Sequence, residues 1–91
     1  MARAYLDLVQ ETEIAARMGE QDALCNLGII YATGKGVDVD FITAHKWFNL
    51  AAMRGSQEAR EQRAELAREM TPAQVAEAQR MAREWLETTH Q

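Results

Sequence analysis

The feature that most constrains the fold is an internal repeat. Ala15-Ala16-Arg17-Met18-Gly19-Glu20-Gln21-Asp22-Ala23 aligns with Ala51-Ala52-Met53-Arg54-Gly55-Ser56-Gln57-Glu58-Ala59 at an offset of 36, with five identical positions and Asp22 opposite Glu58. The same register pairs Tyr5 with Phe41 and Leu6 with Ile42. A period of this length belongs to helix pairs that bury their apolar faces only by stacking on one another.

The apolar spacing agrees and divides the chain into about five helical segments with no convincing strand. The first, near residues 3 to 18, places Tyr5, Leu8, Val9, Thr12, Ala15 and Ala16 on one face, and Gly19 stops it. The second, from about Gln21 to Thr33, carries Ala23, Leu24, Cys25, Leu27, Ile29, Ile30 and Tyr31 on more than one face, so it is expected to be the most buried. Gly34-Lys35-Gly36 then forms a tight loop.

Asp40 is suited to cap a third helix, in which Phe41, Ala44, Trp47, Phe48, Ala51 and Ala52 recur at helical intervals before Gly55 ends it. The fourth, about Gln57 to Glu69, has a thin apolar stripe of Ala59, Leu66 and Met70 among many charges and reads as mostly solvated. Thr71-Pro72-Ala73-Gln74 has the form of a capping box with proline in the first turn. The helix it starts carries Val75, Ala78, Ala82, Trp85 and Leu86 on one face and reads as a closing lid.

Within this pattern, Ala23, Leu27-Gly28 and Tyr31, then Gly34-Lys35-Gly36-Val37, Asp40, Ala44, Trp47, Ala51-Ala52 and Gly55 follow one another in a fixed order. That order closely resembles a Sel-one-like repeat, a relative of the tetratricopeptide repeat. The resemblance implies an all-α fold, a short right-handed α-α superhelix with a C-terminal capping helix. It divides the chain into a degenerate half-repeat (1-19), a complete repeat (20-55), a further half-repeat (56-70) and a capping helix (71-91). Arg63 and Ala64 stand where the central unit has Leu27 and Gly28, so the packing face is expected to give way to the polar surface of an end cap. Members of the family mostly act as scaffolds or adaptors, which makes a partner protein or peptide the expected ligand.

Charge narrows the partner classes. The net charge is -4, and residues 1 to 45 carry seven acids against three bases while residues 46 to 91 carry seven of each. Nucleic-acid binders need clustered Lys and Arg to displace counterions, so DNA and RNA are not expected partners. Hydrophobic residues make up 47 % of the chain against 26 % charged, which excludes a disordered polar chain. No stretch approaches the ~20 apolar residues of a membrane span, and Asp7 interrupts the start before a secretory hydrophobic region develops. The single cysteine, Cys25, fits a reducing compartment, and a cytoplasmic location is the expectation.

Catalytic candidates are few. Cys25 and His45 are the residue types of a nucleophile and a base, so a hydrolase-like enzyme is one alternative, but they fall on different helices with no orienting group or oxyanion loop nearby. Cys25 reads instead as a small core hydrophobe, His45 as a partly exposed helix residue, and His90 as a residue near a terminus. Two distant histidines and one cysteine make no metal pattern, and the Gly34-Lys35-Gly36 turn lacks the strand and spacing of a phosphate loop, so no cofactor or metal is expected.

A binding surface is better supported. In tetratricopeptide-like geometry, Asp22, Cys25, Asn26, Ile29, Ala32 and Thr33 form a stripe on the second helix that lies away from Leu27 and Tyr31 and would line a concave groove. Asn26 is suited to a peptide backbone, and Ile29 and Cys25 to an apolar side chain. The competing expectation is that the first helix, the fourth helix or the mate in a homodimer covers the stripe. Self-association, with Trp85 exchanged between copies to close an open end, is the other alternative.

Overall fold

A computed structural model of the chain describes the backbone of residues 2–89 and the side chains of residues 7–89. His90 and the side chains of Tyr5 and Leu6 therefore lie outside the described residues. Five helices follow in order: α1 (Ala2–Arg17), α2 (Gln21–Thr33), α3 (Phe41–Met53), α4 (Gln57–Ala67) and α5 (Pro72–Thr89), with no strand among the described residues.

Short polar residues set most of the starts. Asp40 caps α3 by accepting from the Thr43 N–H at 3.1 Å and from the Thr43 hydroxyl at 2.7 Å. Ser56 caps α4, its hydroxyl accepting the Ala59 N–H at 3.0 Å. At α5 the Gln74 N–H donates to Thr71 Oγ1 at 3.2 Å and the Thr71 N–H donates to Gln74 Oε1 at 2.8 Å, so two orphan amides are satisfied reciprocally. Glu20 begins α2 without a side-chain cap.

Gly19 and Gly55, 36 residues apart, both end their helices in the left-handed region, with φ of 80° and 99°. Their turns lie side by side: Arg54 Nη1 donates to the Gly19 carbonyl at 3.4 Å, and Gln21 Nε2 donates to the Arg54 carbonyl at 2.9 Å. The repeat in the sequence is thus joined in space at its turns.

The core runs through α2 and α3, whose Leu24, Leu27, Phe48 and Leu50 are the largest fully buried side chains. α1 packs on α2, and α4 and α5 both pack on α3. α5 lies along α3 rather than on α4; it buries Ala78 and Ala82 and sets Trp85 edge-on against Trp47, the ring centroids 5.6 Å apart and the planes at 80°. Trp85 thus has an aromatic partner in its own chain.

Leu8 departs from the expected buried face of α1. It is 48 % exposed, and Ile14 and Met18 are more exposed still, while Val9, Thr12 and Ala16 are buried. The apolar arc of α1 is wider than the surface α2 covers. α4 behaves as its charges dictate, burying only Ala59 and Leu66. Arg63 is half-buried and donates to Asn49 Oδ1 of α3 at 2.5 Å, a polar contact at the position where the repeat register has Leu27.

Candidate functional site

Two recesses meet at one exposed aromatic ring. Phe41, at the start of α3 and 36 % exposed, lines both. The first, of about 380 Å³, has Ala32 of α2, Phe48 of α3 and Leu66 of α4 as apolar surfaces, with Gln62, Glu65, Arg68 and Glu69 along the α4 side. The second, of about 500 Å³, runs from Tyr31 past Asp38, Val39 and Asp40 to Ile42 and to Gln74 at the start of α5. Together they form an apolar trough with polar edges, the usual chemistry of a surface that receives a peptide.

Local structure explains why the ring stays exposed. The Asp40 cap fixes the first turn of α3, and the Asp40 N–H donates to the Tyr31 carbonyl at 2.9 Å, which ties the incoming loop back to α2. Phe41 is thereby held in the first helical position beside Val39, which is also exposed, and neither is carried into the core.

The six residues of the α2 stripe divide between two environments. Asp22, Asn26 and Thr33 are exposed and Ile29 is half-buried, while Ala32 lies at the edge of the 380 Å³ recess. The Thr33 hydroxyl donates to the Ile29 carbonyl at 2.7 Å, so its proton is already engaged. Cys25 does not reach the surface. It is 4 % exposed beneath the start of α4, beside Ser56, with the Asp22 and Glu58 carboxylates nearby. Burial, reinforced by those two charges, pushes its thiol above the ordinary range, the opposite of nucleophile activation. α4 thus covers one flank of the stripe and leaves the other open.

His45 is also deeper than its sequence context suggests. It is 3 % exposed, Nδ1 has no hydrogen-bond partner, and burial together with the Arg63 guanidinium holds its pKa below the ordinary imidazole value. The reason is rotational: His45 follows Ala44 on the arc of α3 that turns inward, and α4 closes over that arc. Cys25 and His45 share no hydrogen bond, and neither appears among the influences on the other's ionisation. Among the described residues no cluster of His, Cys, Asp or Glu is arranged to hold a metal ion, and no helix is long and apolar enough to cross a membrane.

Phe41, Phe48, Leu66 and the α4 carboxylates were not part of the stripe read from sequence. One signal for the acidic edge was present: Glu58, Gln62 and Glu65 recur at offsets of four and seven, the spacing of one helical face, and Glu69 follows in the turn after α4. Nothing local, however, indicated which neighbour that face would meet.

No curated protein matches the chain. The Sel1 repeat family matches residues 21–56, the segment that contains α2, the Gly34 turn, α3 and the Ser56 cap. Sel1 repeats generally mediate protein–protein interaction and are typically non-enzymatic scaffolds. The match covers 36 of the 91 residues, so residues 21–56 are similar to a Sel1 repeat, and they sit within an all-helical fold consistent with Sel1-like repeats.

Proposed function

We propose that the protein is a binding module that holds a segment of another protein in the trough between α2 and α4, with Phe41 as its apolar anchor. The observation that carries this reading is the exposed Phe41 ring shared by two recesses, one floored by Ala32, Phe48 and Leu66 and the other lined by Tyr31, Val39 and Ile42. An aromatic ring at the centre of an apolar trough with a polar rim is the arrangement in which a few side chains supply most of the binding energy. Asp22, Asn26, Ile29 and Thr33 extend the open edge of α2 beside it, and Asn26 offers both a donor and an acceptor to a peptide backbone. In this reading the half-repeats at 1–19 and 56–70 and the C-terminal helix α5 are the ends that keep the complete unit folded.

The role is non-catalytic. A buried thiol with a raised pKa and a buried imidazole with no shared hydrogen bond supply neither a nucleophile nor a base at the surface. Affinity capture of a partner, followed by titration of that partner against Phe41→Ala, Ile29→Asp and Asn26→Ala, tests the proposal. Phe41→Ala and Ile29→Asp are expected to weaken binding by about tenfold or more, as anchor residues do. Undiminished binding by correctly folded variants excludes this trough.

A further inference from the structure

We propose that the segment received by the trough is basic, a stretch of apolar residues interspersed with lysine or arginine. This rests on the trough being the binding surface and adds the chemistry of its occupant. The linings of the two recesses contain the carboxylates of Asp38, Asp40, Glu65 and Glu69 and a single cation, Arg68. Arg68 is itself paired with Glu65 at 3.5 Å, so it offsets a carboxylate already counted. Outside the two linings, Asp22 and Glu58 add two exposed carboxylates near the buried Cys25.

The imbalance is local. The whole chain carries 14 acids against 10 bases, whereas the four lining carboxylates share one guanidinium. Other arginines are engaged elsewhere: Arg63 donates to Asn49, Arg54 to the Gly19 carbonyl, and Arg80 to Glu77 and Glu84. An acidic segment entering the trough would bring its charges beside unneutralised carboxylates, and like charges at an interface suppress binding strongly. Lysine and arginine fit for a second reason. Their methylene stems lie on apolar surface such as Phe41 and Val39 while the charged head reaches a carboxylate at the rim.

The test uses the intact chain and two labelled peptides of identical length, one built from leucine and lysine, the other with every lysine replaced by glutamate. Fluorescence anisotropy is expected to show the lysine peptide binding about tenfold or more tightly than its acidic twin, with an affinity that falls as salt is raised. Glu65→Lys with Glu69→Lys is expected to weaken the lysine peptide about tenfold, and Phe41→Ala to weaken it as well. The control Glu11→Lys, on the exposed side of α1, is expected to change it less than twofold, because it lies outside the trough. Equal binding of the twins, lost in Phe41→Ala, overturns the charge preference and leaves the trough as the binding surface. Lysine-peptide binding that survives Phe41→Ala and is weakened equally by Glu11→Lys and by the α4 variants overturns both readings, since it reports general attraction to an acidic chain. Failure of the lysine peptide to bind overturns the inference.

Discussion

Gly28 of α2 lies directly over the ring of Phe48 on α3, so closely that a Cβ built on the glycine would sit 2.8 Å from Phe48 Cγ and nearer still to the ring edge. Phe48 is 1 % exposed and has nowhere to move. The approach of these two helices therefore depends on one missing side chain, and the position of Phe48 in turn forms part of the trough beside Phe41.

Gly28→Ala is expected to destabilise the fold by about 1 to 3 kcal/mol despite the higher helix propensity of alanine, because overpacking outweighs the propensity gain. Chemical denaturation measures this. Stability equal to or above that of the parent would mean that α2 and α3 can separate without penalty.

Removal of the α3 cap has a smaller and more local effect. Asp40→Ala is expected to reduce stability by about 1 kcal/mol, since the Thr43 amide and hydroxyl lose their acceptor. Asp40→Asn should retain most of that stability, as asparagine caps nearly as well. Comparing the two variants by thermal or urea unfolding separates the cap from the loss of charge.

Protonation of His45 couples stability to pH. Burial and the nearby Arg63 keep its folded pKa below the value of 6.5 expected for an unperturbed imidazole. The unfolded chain takes up a proton at this residue before the folded chain does. Stability from the neutral, buried ring is therefore complete above about pH 6.5 and falls as the pH drops from there toward the lowered folded value. Urea midpoints of the parent are expected to fall over this window, and those of His45→Leu to fall less. The leucine variant also removes the unpartnered Nδ1, so its stability near neutrality should be close to the parent's.

Cys25 should behave as a core residue toward reagents. Its burial and raised pKa both disfavour the exposed thiolate, so alkylation of the native protein at mildly alkaline pH is expected to be on the order of a hundredfold slower than in denaturant. Native labelling as fast as that of the unfolded thiol would restore the catalytic reading of this residue.

The contact between Trp47 and Trp85 is expected to anchor the C-terminal part of α5. A double-mutant cycle with Trp47→Leu and Trp85→Leu should give a coupling energy of about 0.5 to 1.5 kcal/mol, the range for edge-to-face aromatic pairs. Additive effects of the two substitutions would show that α5 is held mainly by Ala78 and Ala82 against α3.

The helices, their caps and their glycine turns were legible in the sequence because each depends on residues within one or two turns of one another. Asp40 with Thr43, Thr71 with Gln74, and the left-handed Gly19, Gly34 and Gly55 need no distant partner. Gly28 was legible through the repeat it occupies, although the ring it admits is supplied by the tertiary structure. Only that structure decided that α4 closes over Cys25 and His45, that Leu8 stays exposed, that α5 lies along α3, and that Phe41 joins two recesses, one edged by Glu65 and Glu69 and the other by Asp38 and Asp40. Helical periodicity specifies which residues share a face, whereas burial and the composition of a groove depend on how neighbouring helices approach that face.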